Sequence, residues 1–269
     1  MIFFKKYIQI AKTSWANGFV YRLNFVMWRI RNVIQLLTIY FLWFAVSSNQ
    51  DKIFSYTQAS ILTYVLGSSI IRAMVLSSRS IDAQGEIASG DLSNHLVKPI
   101  NYFIYWASRD MSDKLLNILF AIFEITLLIV VIRPPIQFQT NLALIALFAG
   151  SVVLAAILFF IFSFIISMTT FWYYEYNGWA QRYLSFVILE ALAGGLFPLD
   201  ILPPTFAKIA IVLPTAYFIY FPMQIYLGRI NPTQIVVGYA VMLFWIVALY
   251  YFGQMLWKKG LKVYGAYGR

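Results

Sequence analysis

The sequence predicts an all-α integral membrane protein with six transmembrane helices. Three observations carry that expectation. Of 269 residues, 61% are hydrophobic and only 11% are charged, against roughly 25% charged in a soluble domain. So few charges cannot coat a water-soluble globule of this length. The apolar residues also gather into runs near the roughly 20 residues that a helix needs to cross hydrocarbon. Finally, the formal charge of +10 falls mostly in alternate segments between those runs, as cytoplasmic loops require. Membrane lipid is therefore an expected partner and nucleic acid is not.

Residues 1–23 contain no clean apolar core followed by a small-residue cleavage site, so no cleavable leader is expected. Phe4, Ile8, Ala11, Trp15 and Phe19 recur at helical spacing, with Lys5, Lys12 and Ser14 among the polar positions. That pattern suits a helix lying in the membrane interface. The other reading is a polar lead-in to the first span. The six expected spans are Asn24–Val46, Tyr56–Ser78, Leu115–Ile132, Leu142–Thr169, Tyr183–Phe197 and Ile235–Trp257. The fifth is short: helical throughout, it would reach about 22 Å against a hydrocarbon core of about 30 Å.

With six spans both termini share one side. That side would hold thirteen Lys and Arg, among them Lys5, Lys6, Lys98, Arg109 and Lys258, and the other only Lys52, Arg133, Lys208 and Arg229. Both termini are thus expected in the cytoplasm. Two long connections remain in a single membrane domain, 1–269. Residues 79–114 form the most polar part of the chain, on the cytoplasmic side. Residues 198–232, on the outer side, stay largely apolar yet hold six of the nine prolines. Their apolar stretches are too short to span and read as short re-entrant or surface helices between spans five and six.

The chemistry of catalysis is missing. Cysteine is absent and His95 is the single histidine; it reads as a solvated loop residue without metal-ligand neighbours. No Gly-Lys pair occurs, so the phosphate-cradling loop is excluded. The chain is expected to be no enzyme and to bind no cofactor; any ATP-driven work would need separate subunits carrying ATP and Mg. In the polar loop, "EIASGDLSNHLVKP" reads as a short helix ended by Gly90, with Asp91 placed to cap the next turn. It is either a dock for a cytoplasmic partner or an ordinary interfacial loop.

Glu124 and Glu190 fall inside expected spans, where a carboxylate is costly unless it meets protein or water. They either line a path that attracts lipophilic cations or form structural pairs with Arg72 or another arginine. The aromatic stripe Phe171–Trp179 fits an interfacial belt or a site for planar cations.

The order of these features resembles the permease subunit of a type-2 ABC transporter. The resemblance rests on the amphipathic N-terminal stretch, the polar loop after span two, the short fifth span and "GGLFPLDILPPTFAKIAIVLPTAY". The last is similar to the family's outer-face signature through Gly195, Pro198, Leu199, Pro203, Leu213, Pro214 and Tyr217. "GDLSNHLVKPIN" and "KKGLKVYGAYG" resemble the branch of viologen and multidrug exporters. The resemblance implies a type V exporter fold and an interfacial connecting helix over 1–23. It places ATPase coupling at Glu86, Gly90, Asp91, Leu92 and Pro99. It further implies two cytoplasmic ATPase subunits, a second permease that is identical or homologous, and export of a hydrophobic or amphipathic small molecule across the inner membrane. The rival expectations are an ATP-independent channel or carrier, and a structural membrane subunit.

Overall fold

The computed structural model describes residues 2–18, 22–49, 52–173 and 187–265. Helices α1 (Ile2–Gly18), α2 (Arg22–Ser47) and α3 (Gln58–Val75) come first. The polar segment follows as a 3-10 turn (Arg79–Asp82), α4 (Ala83–Ala88) and α5 (Leu92–Leu96). Helices α6 (Tyr102–Ile132) and α7 (Leu142–Met168) are long. After a short helical stretch at 187–192 come α8 (Pro204–Val212), α9 (Tyr220–Tyr226) and α10 (Pro232–Val263). Phe19 of the N-terminal stripe, most of the aromatic stripe (174–179), the start of the expected fifth span (183–186) and the last four residues lie outside the described residues.

The expectation of six spans is corrected to five. Among the described residues, five helices are long and apolar enough to cross a membrane: α2, α3, α6, α7 and α10. Among the described residues, Tyr183–Phe197 supplies no sixth helix of that length. Its described helical part is only 187–192, about 9 Å at 1.5 Å per residue. Turns from Ala193 onward stop it, and Gly194 adopts φ 79°, which ends a helix readily only at glycine.

Side chains at the helix starts explain why the elements begin where they do. Thr57 caps α3 by accepting from Ser60 N, Asn101 caps α6 by accepting from Phe103 N and Ile104 N, and Asn141 does the same for α7. Asn231 and Gln234 form a reciprocal capping box on α10, with Pro232 at its first position. Each cap satisfies backbone donors that lipid could not. Helix α6 begins thirteen residues before the expected third span, because Asn101 rather than the edge of the apolar run sets its start. Residues 102–114 of the polar 79–114 connection are therefore helical.

Helix α3 sits at the centre, with Ile61, Leu62, Tyr64, Val65 and Ile71 almost fully buried. Against it pack Ala155, Leu158 and Phe159 of α7 and the run Ala216–Ile225, which includes most of α9. Of the two expected outer helices, α9 therefore belongs to the core. Helix α8 lies outside and exposes Phe206, Ile209 and Val212. The outward faces of α2, α6 and α10 are apolar, with Met27, Phe41, Phe123, Val131, Phe244 and Tyr251 exposed. In lipid such faces are solvated by acyl chains and need no further cover.

The bundle has two distinct ends. At one, Lys6 Nζ donates to Pro99 O (2.7 Å), Asn101 N donates to the Tyr7 hydroxyl (3.0 Å), and Tyr264 packs on Phe171. Helix α1, the 79–101 segment and the C-terminal part of α10 thus share that end. Helix α1 turns Tyr7 and Ser14 inward and leaves Ile8 outward, so the side bearing Ile8 is its exposed one. At the other end, residues 52–57 meet Asp200 and Arg229.

Gly260 permits the contact between α10 and the end of α7: a Cβ there would stand 2.2 Å from the Phe171 ring. Gly260→Leu is expected to push the two helices apart and cost about 1–3 kcal/mol, the usual range for overpacking. Gly253→Ala, whose Cβ would meet Ile165 at an ordinary 3.4 Å, is expected to be near neutral. Thermal unfolding of the detergent-purified variants compares the two.

Candidate functional site

The polar segment is built as two short helices on a buried footing. Its first half is tied to α6 and α7. Arg79 N donates to Asp110 Oδ1 (2.8 Å), and the Arg79 guanidinium pairs with Asp113. Burial alone would lower the Arg79 pKa, but Asp113 and Asp82 hold it above the ordinary arginine value, so it stays charged. Ser80 exchanges a hydrogen bond with Ser163, and Ser167 Oγ donates to Ser80 O (2.8 Å). Lys114 reaches from α6 toward the end of α3: it donates to Val75 O (3.1 Å) and Ser77 O (2.8 Å) and pairs with Asp110 (3.3 Å). A cation on the last carbonyls of α3 complements the negative end of that helix.

Of the residues expected to couple, Gly90 takes φ 83°, the left-handed conformation that ends α4. Asp91 does not cap α5. Its carboxylate instead accepts from Ser89 Oγ (2.7 Å) and Asn94 Nδ2 (3.4 Å), a local turn bond that competes with capping. Leu92 is fully buried among Ala83, Trp106, Phe164 and Phe171. Glu86 accepts from the Tyr102 hydroxyl (2.8 Å) and lies 3.5 Å from both Arg109 and His95. His95 is therefore not a solvated loop residue; its side chain is 14% exposed, between Glu86 and the rings of Tyr102 and Tyr105. Pro99 is exposed, and its carbonyl anchors Lys6 of α1. Footed in this way, the segment leaves an apolar tip outside, with Leu96 47% and Val97 84% exposed. Both lie within "GDLSNHLVKPIN", but nothing in the spacing of that stretch marks them as exposed.

The opposite end carries the glycine and proline motif. Gly194 O accepts from the Tyr64 hydroxyl (2.6 Å), Gly195 O accepts from Arg72 (2.9 Å), and Leu196 O accepts from Trp43 Nε1 (3.0 Å). Three successive carbonyls, released where the 187–192 helix stops, thus each receive a side-chain donor. No room exists for larger residues: a Cβ on Gly194 would stand 2.7 Å from the Tyr64 hydroxyl, and one on Gly195 would stand 2.9 Å from Glu190. Pro198 and Leu199 are buried, Pro203 is exposed ahead of α8, and Pro214 is buried before α9. Asp200 accepts from the Tyr56 hydroxyl (2.9 Å), which in turn accepts from Gln224 (2.7 Å). Arg229 pairs with Asp200 (3.3 Å), lies over the Tyr56 ring (3.6 Å) and donates to Ser55 O (2.9 Å). Burial, reinforced by Asp200, pushes the Tyr56 phenol well above its ordinary value, so it remains a proton donor.

The two intramembrane carboxylates are not brought together. Glu124 of α6 accepts from Arg29 of α2 (2.6 and 2.8 Å), and Asn117 supports the same guanidinium. Glu190 pairs with Arg72 of α3 (2.6 Å) and accepts from Gln35 of α2 (3.0 Å). Each negative charge is met by an arginine on a neighbouring helix, which lowers the cost of both in lipid. Among the described residues, no group of three or more His, Asp or Glu could hold a metal ion.

A family model described as ABC-2 family transporter protein matches residues 33–268. No curated protein matches the sequence significantly.

The Arg72–Glu190 pair is expected to behave as one unit. Arg72→Met and Glu190→Gln should each destabilise the detergent-purified protein, and the double variant should lose less than the two combined. The expected coupling energy is about 1–3 kcal/mol, read from a double-mutant cycle in thermal or denaturant unfolding.

Proposed function

The chain belongs to the ABC-2 family of transporter proteins, and on that premise we propose that it is the permease subunit of an ATP-driven exporter. It is a multi-pass membrane protein. Hydrolysis would come from two cytoplasmic ATPase subunits that bind ATP and Mg, and a second permease, identical or homologous, would complete the pathway. The end bearing α1 and the 79–101 segment would face the cytoplasm of an inner-membrane protein, following the excess of Lys and Arg there. Cargo would be a hydrophobic or amphipathic small molecule, with multidrug-type cations as one class.

One observation carries this reading. The 79–101 segment is fastened to α6, α7 and α1 at its base yet exposes Leu96 and Val97 at its tip. A surface loop that merely joins two spans has no need of so many anchors. A firmly footed apolar tip is suited to receive force from a partner and pass it into the helices. In this scheme Glu86 and Leu92 hold the base, Gly90 and Asp91 shape the turn, and Pro99 joins it to α1. At the far end, Gly195, Pro198, Leu199, Pro203 and Pro214 would close the top of the path. Glu124 and Glu190 would act as helix pins, since a cationic cargo would have to displace an arginine from either.

Val97→Asp puts a charge on the tip without touching the footing. It is expected to weaken co-purification of the ATPase subunit about tenfold or more, as loss of a central apolar contact does, while membrane insertion and thermal unfolding stay unchanged. If the wild-type chain binds no ATPase subunit at all, the reading fails in favour of a channel, carrier or structural subunit.

A further inference from the structure

We propose that Tyr264 is a positioning residue that locks the C-terminal end of α10 to the second half of the polar segment, so that α10 moves with the segment as one body. The inference rests on the reading of that segment as the dock for an ATPase. Tyr264 immediately follows α10 and is half-buried. Its hydroxyl donates to Gly90 O (2.7 Å) and accepts from Ser93 N (3.3 Å). Those two groups flank Asp91 and Leu92, at the turn where α4 gives way to α5. One phenol thereby joins a turn in which Ser93 N and Ser93 Oγ already donate to Gly90 O (3.2 and 2.7 Å).

The placement gives the bond a mechanical meaning. Arg79, Ser80 and Glu86 tie the first half of the segment to α6 and α7. The Gly90–Ser93 turn is gripped instead from Tyr264 after α10, while α1 holds Pro99 O and Asn101 N beyond the tip. The Tyr264 ring also meets Phe171 (5.9 Å), and Phe171 fits against Gly260. The phenol is thus braced on the 3-10 turn Thr169–Phe171 that follows α7 while its hydroxyl holds the Gly90–Ser93 turn. A push on Leu96 and Val97 that shifted Gly90 would draw on Tyr264, and through it on the longest helix of the molecule.

The chain has no cysteine, so spin labels can be placed singly at Asn94→Cys in α5 and Lys259→Cys near the end of α10, both exposed. In the complex with its ATPase subunits, the distance between the labels is measured with and without a non-hydrolysable ATP analogue. The wild-type background is expected to keep one distance in both states. Tyr264→Phe removes only the hydroxyl and keeps the ring on Phe171. In that background, the analogue is expected to shift or broaden the distance, while ATPase co-purification persists. A purely structural role would lower thermal stability without making the distance depend on the analogue. The inference is overturned if Tyr264→Phe keeps the wild-type distance in both states, or if the wild-type distance itself shifts as the variant's does. If no ATPase co-purifies with either chain, the docking reading falls and takes the inference with it, an outcome distinct from failure of Tyr264 alone.

Discussion

Arg72 lies in the last turn of the membrane-spanning α3, and much of the bundle is arranged to make its charge tolerable. It pairs with Glu190 and donates to Gly195 O, while Gln35 supports Glu190 from α2. These contacts join α3, α2 and the stretch that ends at Gly194. An unpaired charge in hydrocarbon costs several kcal/mol, and an unpaired carbonyl is also costly. The helix of 187–192 can stop inside the protein only because Tyr64, Arg72 and Trp43 supply donors to the carbonyls it leaves behind. The close packing at Gly194 and Gly195 follows from the same need, since donors reach these carbonyls only if no side chain intervenes. Proline enrichment around this region is then a consequence: once side chains carry the hydrogen bonding, the backbone no longer has to be helical.

The opposite end obeys a different constraint. Water is available there, and the problem is to hold a polar segment in one shape. Serine–serine and serine–carbonyl bonds to α7, carboxylates on α6 and a buried lysine on the end of α3 perform that task. Short polar side chains suit it because they lose little rotamer freedom when fixed. Longer apolar side chains are left for the core and for the tip.

The membrane class, four of the long helices close to their expected ranges and the polar segment were legible because run length and hydropathy report them directly. The fifth expected span was not. Its apolar composition is that of a spanning helix, but its fate depends on donors from Tyr64, Arg72 and Trp43, residues more than 100 positions away in sequence. The early start of α6 escaped for a local reason: Asn101 caps the helix, and Arg109, Asp110, Asp113 and Lys114 interrupt the apolar run after its first turns. Among the candidate residues, Gly90 was legible from backbone preference alone. Asp91 was misplaced as a cap because Ser89 captures its carboxylate. His95 was misread as solvated because spacing cannot reveal that Tyr102 and Tyr105 enclose it. Arg72 was foreseeable as a partner for a buried acid, whereas Tyr264 stood within "KKGLKVYGAYG" with nothing there to point to Gly90.

Helix α6 has 31 residues and α10 has 32, so each is about 46–48 Å long at 1.5 Å per residue. Hydrocarbon occupies only about 30 Å of that length. The surplus makes each helix a lever with its fulcrum in the bilayer and a free arm beyond it. A small change of tilt at the fulcrum becomes a larger sideways sweep at the arm, and a modest force on the arm returns as torque within the membrane. Bilayer thickness thereby sets the gearing: a thicker membrane shortens the arm, and a thinner one lengthens it.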